Sequence, residues 1–158
     1  TGNIGVVFPT FEEYSNRKAQ SNLIVYQPDN PDFAYTAADL MAYFDDKDIS
    51  TLLVINPDNP SGNFIPAMQL LQLCQWAKSR GVRIIIDESF VDFTDECEAN
   101  SLLHDSVLAK YDNLVVVKSI SKSYGVPGLR LGVVATSAVA LADMLKKDVA
   151  IWNINSFV

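Results

Sequence analysis

Six short apolar runs, rich in β-branched residues, alternate with stretches of helical periodicity along the whole chain. The predicted strands are residues 3–8, 22–27, 51–56, 82–87, 113–118 and 130–135. The predicted helices lie between and after them, at about 10–20, 36–45, 66–80, 100–111 and 137–147. Several strands are apolar along their full length, which indicates burial on both faces, as in a parallel sheet covered by helices. The order of elements therefore predicts a three-layer α/β/α domain with a mostly parallel sheet and right-handed crossovers.

The boundaries of two predicted helices carry their own signals. Thr36 is a candidate N-cap, and Asp39 lies three residues later, where a capping box would place an acidic side chain. Pro66 suits the first turn of the next helix, and Gly81 follows the last basic residues of that helix. These signals support helices at 36–45 and 66–80.

Length, charge and hydropathy limit the classes of protein that this chain can represent. A chain of 158 residues suits one domain with a sizeable core. The net charge of −7 disfavours nucleic-acid binding, which needs a basic face. No apolar run reaches the roughly 18 residues that a membrane-spanning helix needs, and the N-terminus lacks the pattern of a signal peptide.

The two cysteines, Cys74 and Cys97, do not form a disulfide framework. Cys74 lies in an amphipathic helical pattern and is expected to be a small core residue. His104 also lies in a helical pattern, and no cluster of histidine, cysteine and acidic residues has the spacing of a metal site. We therefore expect a cytoplasmic protein without a metal centre.

Polar side chains follow three of the predicted strands. Asn59 lies in the turn after 51–56, Asp87 ends the strand at 82–87, and Lys122 follows the strand at 113–118. Ligands of open α/β sheets bind beyond the carboxyl ends of the strands, so these groups are expected at one edge of the sheet. Each alone has an ordinary structural explanation, as part of a rigid turn, a helix cap or a solvated surface. Their coincidence favours a binding site, because a carboxylate at the rim of an apolar core costs free energy without a cation or strong donor.

These groups match the chemical needs of pyridoxal phosphate. The carboxylate of Asp87 can keep the ring nitrogen protonated, and the amine of Lys122 can form a Schiff base with the cofactor's aldehyde. Arg130 lies eight positions after Lys122 in a glycine-punctuated segment, and its guanidinium offers a planar fork of donors suited to phosphate oxygens. The sequence therefore predicts a pyridoxal phosphate site.

Three motifs, in this order, resemble those of fold-type I pyridoxal phosphate enzymes of the class I/II aminotransferase group. NPDNPSG at 56–62 resembles the family's Asn-Pro-x-Asn-Pro-Thr-Gly turn, and IIIDESF at 84–90 resembles its Asp-Glu-Ala-Tyr strand end. SISKSYGVPGLRLG at 119–132 resembles its lysine loop, and FPTFEEY at 8–14 is a weaker fourth match. The resemblance covers nearly the whole chain and points to the branches of histidinol-phosphate aminotransferases and threonine-phosphate decarboxylases.

The resemblance implies a role for each matching residue. Asn59 would bind the ring hydroxyl oxygen, Asp87 would pair with the ring nitrogen, and Lys122 would form the Schiff base and act as acid and base at the substrate α-carbon. The remaining implied roles are phosphate binding by Ser119 and Arg130, with Ser121 as a helper, and stacking on the ring by Phe11. Ordinary core packing is the alternative for the phenylalanine.

Two positions depart from the family pattern. Phe90 stands where many members have tyrosine, so the ring oxygen would keep only Asn59, and the Schiff base would hold its proton to higher pH. Phenylalanine here is commoner near threonine-phosphate decarboxylases, which weakens a plain aminotransferase assignment. Ser89 replaces the usual alanine, and we expect this change to have a small effect.

The resemblance implies an enzyme that transfers an amino group between an amino acid and a 2-oxo acid. One alternative is decarboxylation of a phosphorylated amino acid on the same scaffold. A second alternative, from another class, is a non-catalytic α/β module, which the intact Asn59, Asp87, Lys122 and Arg130 disfavour. The resemblance also implies a homodimer, because the family builds its site at a subunit interface.

The two ends of the chain lack the polar linkers that are expected at domain boundaries. We therefore expect residues 1–158 to be the central part of a pyridoxal phosphate-binding large domain. The family's glycine-rich phosphate loop would precede this part. Its C-terminal small domain, with the arginine that binds the substrate carboxylate, would follow.

The isolated 158-residue chain is accordingly expected to bind pyridoxal phosphate weakly and to catalyse no turnover, because part of the phosphate site and the substrate arginine are not encoded. Absorbance in the band of the lysine-bound cofactor, recorded during titration, measures the uptake. Tight stoichiometric uptake together with transamination would contradict this expectation.

Overall fold

A computed structural model of the protein describes residues 2–16 and 22–148. The strands are β1 Ile4–Val7, β2 Leu23–Tyr26, β3 Thr51–Ile55, β4 Arg83–Asp87, β5 Leu114–Ser119 and β6 Gly132–Ala135. The helices are α1 Glu12–Asn16, α2 Ala37–Phe44, α3 Ala67–Ser79, α4 Cys97–Asn100, α5 Asp105–Lys110, α6 Ile120–Ser123 and α7 Val139–Asp148. Two short 3-10 turns cover Val91–Phe93 and Pro127–Leu129.

The six strands form one sheet in the order β2-β1-β3-β4-β5-β6. The pairs from β2 to β5 are all parallel, whereas β6 runs antiparallel to β5. Every predicted strand is present, and the prediction of a mostly parallel sheet flanked by helices is confirmed. The register places Asp87 of β4 between Ile55 of β3 and Val117 of β5.

The core lies against the central strands, as their apolar composition predicts. Leu52 and Leu53 are consecutive residues of β3 that point to opposite faces, and both are buried. The helices α2 and α3 contribute fully buried side chains to the same core, among them Phe44 and Leu73. Cys74 is also fully buried in this cluster, which confirms its prediction as a core residue.

One predicted helix is wrong in its extent. Residues 100–111 form the end of α4 and the separate helix α5, with an extended segment between them. The buried carboxylate of Glu88 explains the break, because it accepts hydrogen bonds from Ser101 Oγ at 2.7 Å and from the backbone N–H of Leu102 at 2.6 Å. Those contacts compete with continued helix through this segment. His104 lies just before α5 and is exposed.

Three of the remaining predicted helices are present close to their predicted bounds. The helices α2, α3 and α7 lie within two residues of their predicted bounds, and the predicted helix at about 10–20 is described only as α1. The rest of that prediction lies outside the described residues. The connection between the predicted strands 113–118 and 130–135, expected as a loop, contains the helical turn α6.

The predicted signals at Thr36 and Gly81 are confirmed, whereas Pro66, predicted in the first turn of its helix, is the N-cap residue that precedes α3. The Thr36 hydroxyl accepts a hydrogen bond from the Asp39 N–H, and the Asp39 carboxylate accepts one from the Thr36 N–H, which completes the capping box. Gly81 follows α3 with a φ of +69°, a left-handed conformation that glycine adopts without steric cost. Within residues 2–16 and 22–148, no helix is long and apolar enough to cross a membrane.

Replacing Thr36 by alanine should lower the free energy of unfolding by about 1 kcal/mol, because the N–H of Asp39 loses its acceptor. Urea denaturation followed by circular dichroism measures the change. Thr36→Ser keeps the hydroxyl and is the matched control. Equal destabilisation by both variants would show that the capping hydroxyl contributes nothing.

Candidate active site

The parallel pairing of β3, β4 and β5 brings the predicted polar segments together. The backbone N–H of Asn56 donates to the carbonyl of Asp87 at 2.9 Å, and the N–H of Glu88 donates to the carbonyl of Val117 at 2.8 Å. The three strands therefore end side by side. Their carboxyl ends form the edge of the sheet at which the sequence predicts a ligand.

A cavity of about 270 Å³ opens at the ends of β4 and β5. Six of the seven predicted site residues line it, namely Phe11, Asp87, Ser119, Ser121, Lys122 and Arg130. Tyr14, Ser89 and Lys118 also line it, and the sequence analysis assigned none of these three a ligand-binding role. The cavity therefore gathers groups from four separate parts of the chain.

The structure does not bring Asn59 into this cavity. Asn59 lines a neighbouring cavity of about 400 Å³ together with Phe90. Lys122 Nζ, in the first cavity, lies 4.9 Å from the centroid of the Phe90 ring. Phe90 of the second cavity is therefore in contact with the lysine of the first.

The carboxylate of Asp87 is the most enclosed charged group of the site. Asp87 is only 8% exposed, and its oxygens accept one hydrogen bond each. The donors are the backbone N–H of Ser89 at 2.9 Å and the hydroxyl of Tyr14 at 2.5 Å. The sequence predicted that this carboxylate needs a cation or strong donors, and two donors meet that need. A carboxylate has about four acceptor positions, so Asp87 can still bind a ligand N–H.

Tyr14 is a site residue that the sequence analysis missed. It belongs to α1, and burial, followed by the hydrogen bond to Asp87 and the charge of that carboxylate, raises the pKa of its hydroxyl far above the ordinary value. The sequence did contain a signal, because Tyr14 lies three residues after Phe11 at the start of a helix. The two rings pack edge to face with centroids 6.0 Å apart. Phe11 itself is 48% exposed, so ordinary core packing does not account for it.

The turn α6 presents Lys122 to the cavity. Lys122 is exposed, whereas its neighbour Ser121 is buried. Ser119 ends β5, and its backbone N–H donates to Ser89 Oγ at 3.0 Å, so Ser89 ties the ends of β4 and β5 together. This contact gives Ser89 a structural role, whereas the sequence predicts only a small effect of serine in place of alanine at this position.

Two cations in the cavity are available to a ligand. Among the residues that the structure describes, no carboxylate pairs with Lys122 or Arg130. Arg130 has a φ of +54°, and its guanidinium makes one long contact of 3.4 Å with the carbonyl of Pro127. The third cation, Lys118, binds Asp92 at 2.7 Å.

Glu88 lies beside the site without facing the cavity. It is fully buried, and burial raises the pKa of its carboxyl in spite of the hydrogen bonds from Ser101 and Leu102. Those two contacts fix the segment after α4 against the end of β4. The role of Glu88 is therefore structural.

The donor set fits pyridoxal phosphate. An exposed amine suits the cofactor's aldehyde, a buried carboxylate suits its ring nitrogen, and a free guanidinium with neighbouring hydroxyls suits its phosphate. The described residues contain no group of histidine, cysteine and acidic side chains that could hold a metal ion.

Known proteins that are similar to this chain belong to the family that the sequence motifs resemble. The family model for aminotransferase class I and II matches residues 3–158. The chain is 37% identical over 156 residues to the CMP-5'-(3-aminopropyl)phosphonate synthase of Streptomyces rubellomurinus, which covers 99% of this chain and 24% of that protein. It is 32% identical over 155 residues to the L-serine phosphate decarboxylase of Sulfurospirillum multivorans, which covers 96% of this chain and 39% of that protein.

A solved structure agrees with the fold. The histidinol-phosphate aminotransferase of Clostridium acetobutylicum matches 99% of this chain and 46% of its own chain, with a TM-score of 0.82 and 25% sequence identity. The chain therefore spans less than half the length of each of these relatives. Similar proteins thus include both an aminotransferase and a decarboxylase of a phosphorylated amino acid.

Replacing Asp87 by asparagine should lower the titration midpoint of the Tyr14 hydroxyl, because the variant removes the negative charge that helps to raise its pKa. The midpoint should stay above the ordinary tyrosine value of about 10, since burial remains. NMR of ¹³Cζ-labelled tyrosine, with Tyr14→Phe to assign the signal, measures this change.

Tyr35 is the internal control for this titration. Burial and the charge of Asp58, not Asp87, raise the pKa of its hydroxyl. Its midpoint should therefore be the same in both proteins. A Tyr14 midpoint that does not move in Asp87→Asn would show that the two side chains do not interact in solution.

Proposed function

The chain belongs to the aminotransferase class I and II family, and from this premise we propose that the protein binds pyridoxal phosphate in the cavity at the ends of β4 and β5 and acts on an amino acid. Pyridoxal phosphate is the cofactor of this family. One observation carries the proposal. The exposed amine of Lys122, the buried carboxylate of Asp87 and the guanidinium of Arg130, which no carboxylate of the described residues binds, line a single cavity.

The residues that would hold the cofactor are those of the cavity. Lys122 would hold its aldehyde carbon covalently, and Asp87 would accept the hydrogen bond of its ring nitrogen. Tyr14 and the backbone N–H of Ser89 fix the orientation of that carboxylate, so the acceptor is in place before a ligand arrives. When bound, the cofactor supplies an electron sink conjugated to the substrate carbon that bears the amine.

The phosphate and the ring faces would be bound by the other predicted residues. Arg130 and the hydroxyls of Ser119 and Ser121 would bind the phosphate, because an unpaired guanidinium and hydroxyls are strong donors to its oxygens. Phe11 would cover one face of the ring. We retain Asn59, which lines the neighbouring cavity together with Phe90, as the donor to the ring oxygen.

Amino-group transfer between an amino acid and a 2-oxo acid is the reaction that the sequence predicts. The substrate amine would displace Lys122 from the cofactor. The free amine of Lys122 would then take the proton from the substrate α-carbon and return it to the carbon of the cofactor that was its aldehyde carbon. Lys122 is exposed and no carboxylate of the described residues binds it, which leaves its amine available for both transfers. A second copy of this chain is the proposed partner, and the cytoplasm is the proposed location.

Decarboxylation of a phosphorylated amino acid is the second candidate, and a specific observation favours it. The relative named as an L-serine phosphate decarboxylase aligns over 96% of this chain at 32% identity. Phe90 replaces the tyrosine that many aminotransferases of the family have. The same cavity residues would serve, and the geometry of the bound substrate would decide which bond of the α-carbon breaks.

Borohydride reduction of the full-length protein tests the shared core of both candidates. The reduction should leave a pyridoxyl group on the peptide that contains Lys122, as mass spectrometry can show. Lys122→Met should carry no such group, whereas Lys110→Met, at the end of α5, should be labelled as the wild type is. Absence of the label from the wild-type peptide would overturn the proposal and favour a non-catalytic module.

Substrate assays then separate the two reactions. We expect amino acids supplied with 2-oxoglutarate to yield glutamate if the protein transfers amino groups. Release of CO₂ from a phosphorylated amino acid, without glutamate, would replace transfer by decarboxylation. Lys122→Met should abolish either product.

A further inference from the structure

The turn that carries Lys122 has little support of its own. It is the four-residue helix α6, and its N-cap residue, Ser119, makes no side-chain capping bond. Two backbone contacts close the surrounding loop, from the N–H of Ile120 to the carbonyl of Leu131 at 3.2 Å and from the N–H of Val126 to the carbonyl of Ser121 at 3.0 Å. A single helical turn is unstable in isolation, so contacts from outside must hold Lys122 in place.

Asp92 supplies such a contact. It lies in the 3-10 turn Val91–Phe93, which follows Phe90, and its two carboxylate oxygens have different partners. One oxygen binds the ammonium of Lys118 at 2.7 Å. The other accepts the hydroxyl hydrogen of Ser123, the residue next to Lys122. One carboxylate thus joins β5, α6 and the segment after β4.

We propose that Asp92 is a positioning residue for Lys122: it holds the turn through Ser123 and keeps the charge of Lys118 away from the lysine that binds the cofactor. This inference rests on the proposed function of the cavity. Asp92 does not line the cavity, so it acts through its two partners.

Burial distinguishes this ion pair from the other ion pairs of the surface. The side chains of Lys118 and Asp92 are 17% and 30% exposed. Those of Lys78 and Asp112, which form an ion pair of similar length at 2.8 Å, are 40% and 71% exposed. An exposed pair contributes little, whereas a shielded pair with a second hydrogen bond restrains its partners. The hydrogen bonds from Lys118 and Ser123 lower the pKa of Asp92, which keeps it ionised at neutral pH.

The charge balance of the cavity gives the carboxylate a second effect. The titratable or charged groups that line the cavity are Tyr14, Asp87, Lys118, Lys122 and Arg130. Three of these five groups are cations. Of the three, only Lys118 has a carboxylate partner among the described residues. Without Asp92 its ammonium would stand unbalanced beside the amine that binds the cofactor, and would disfavour a protonated cofactor link.

Asp92→Asn in the full-length protein tests the proposal. The variant removes the charge and keeps the shape of the side chain. We expect its affinity for pyridoxal phosphate to fall about 5- to 20-fold, because a neutral amide holds Ser123 less strongly than a carboxylate does and no longer binds Lys118 by charge. The pH midpoint of the absorbance change of the bound cofactor should fall by about half a unit, because a positive charge is left unbalanced.

Three further variants separate the two effects. Ser123→Ala should weaken cofactor binding without moving the midpoint, because it breaks only the contact to the turn. Asp92→Asn combined with Lys118→Met removes both charges, so the midpoint should return to the wild-type value while the affinity stays low. Asp112→Asn is the matched control, which breaks an exposed ion pair before the amino end of β5, away from the carboxyl end at which the cavity lies, and should change neither quantity.

A measurement on the cofactor-free protein tests the restraint of the turn separately from the proposed function. Hydrogen exchange of the amides of residues 120–124 should be several-fold faster in Asp92→Asn and Ser123→Ala than in the wild type and Asp112→Asn. Unchanged exchange in both variants would overturn the positioning role, whether or not a cofactor binds. If the wild type shows no pyridoxyl label on Lys122 but the exchange differs, the proposed function fails and the restraint of the turn stands.

Discussion

The parallel pairing of β3, β4 and β5 is the constraint on which the site depends. Because Asp87 is paired with Ile55 on one side and Val117 on the other, the last residues of three strands end at one edge. Hydrogen bonds between neighbouring backbones extend past the strands and align the polar segments that follow. Side chains from positions far apart along the chain thus line one cavity because the strands that carry them are paired.

Much of this arrangement follows from local sequence. Full-length apolar runs identify the strands because a strand buried on both faces has no polar side. The capping box at Thr36 and the glycine after α3 act within a few residues, so they too are visible in the sequence. The cavity could be anticipated because α/β sheets bind ligands at their carboxyl edge, whatever the details of the loops.

The features that the sequence analysis missed arise from contacts between distant residues. The Tyr14 hydroxyl meets Asp87 across 73 positions, and the place where α1 docks decides that contact. Residues 100–111 have a helical pattern, yet the Ser101 hydroxyl and the Leu102 N–H donate to Glu88, and the helix is interrupted there. Asn59 lines a different cavity from Asp87 and Lys122, because strand order brings the segments side by side without deciding where each side chain lies.

The reversed direction of β6 has a consequence of its own. Ser119, the last residue of β5, pairs with Gly132, the first residue of β6, so both ends of the segment 120–131 are clamped by one pair of adjacent strands. The lysine and the arginine that line the cavity therefore lie on a segment whose two ends are fixed by backbone pairing, while contacts such as that of Asp92 with Ser123 position the residues between them. Because backbone hydrogen bonds fix the ends, the sequence between them can change without altering the order of the strands.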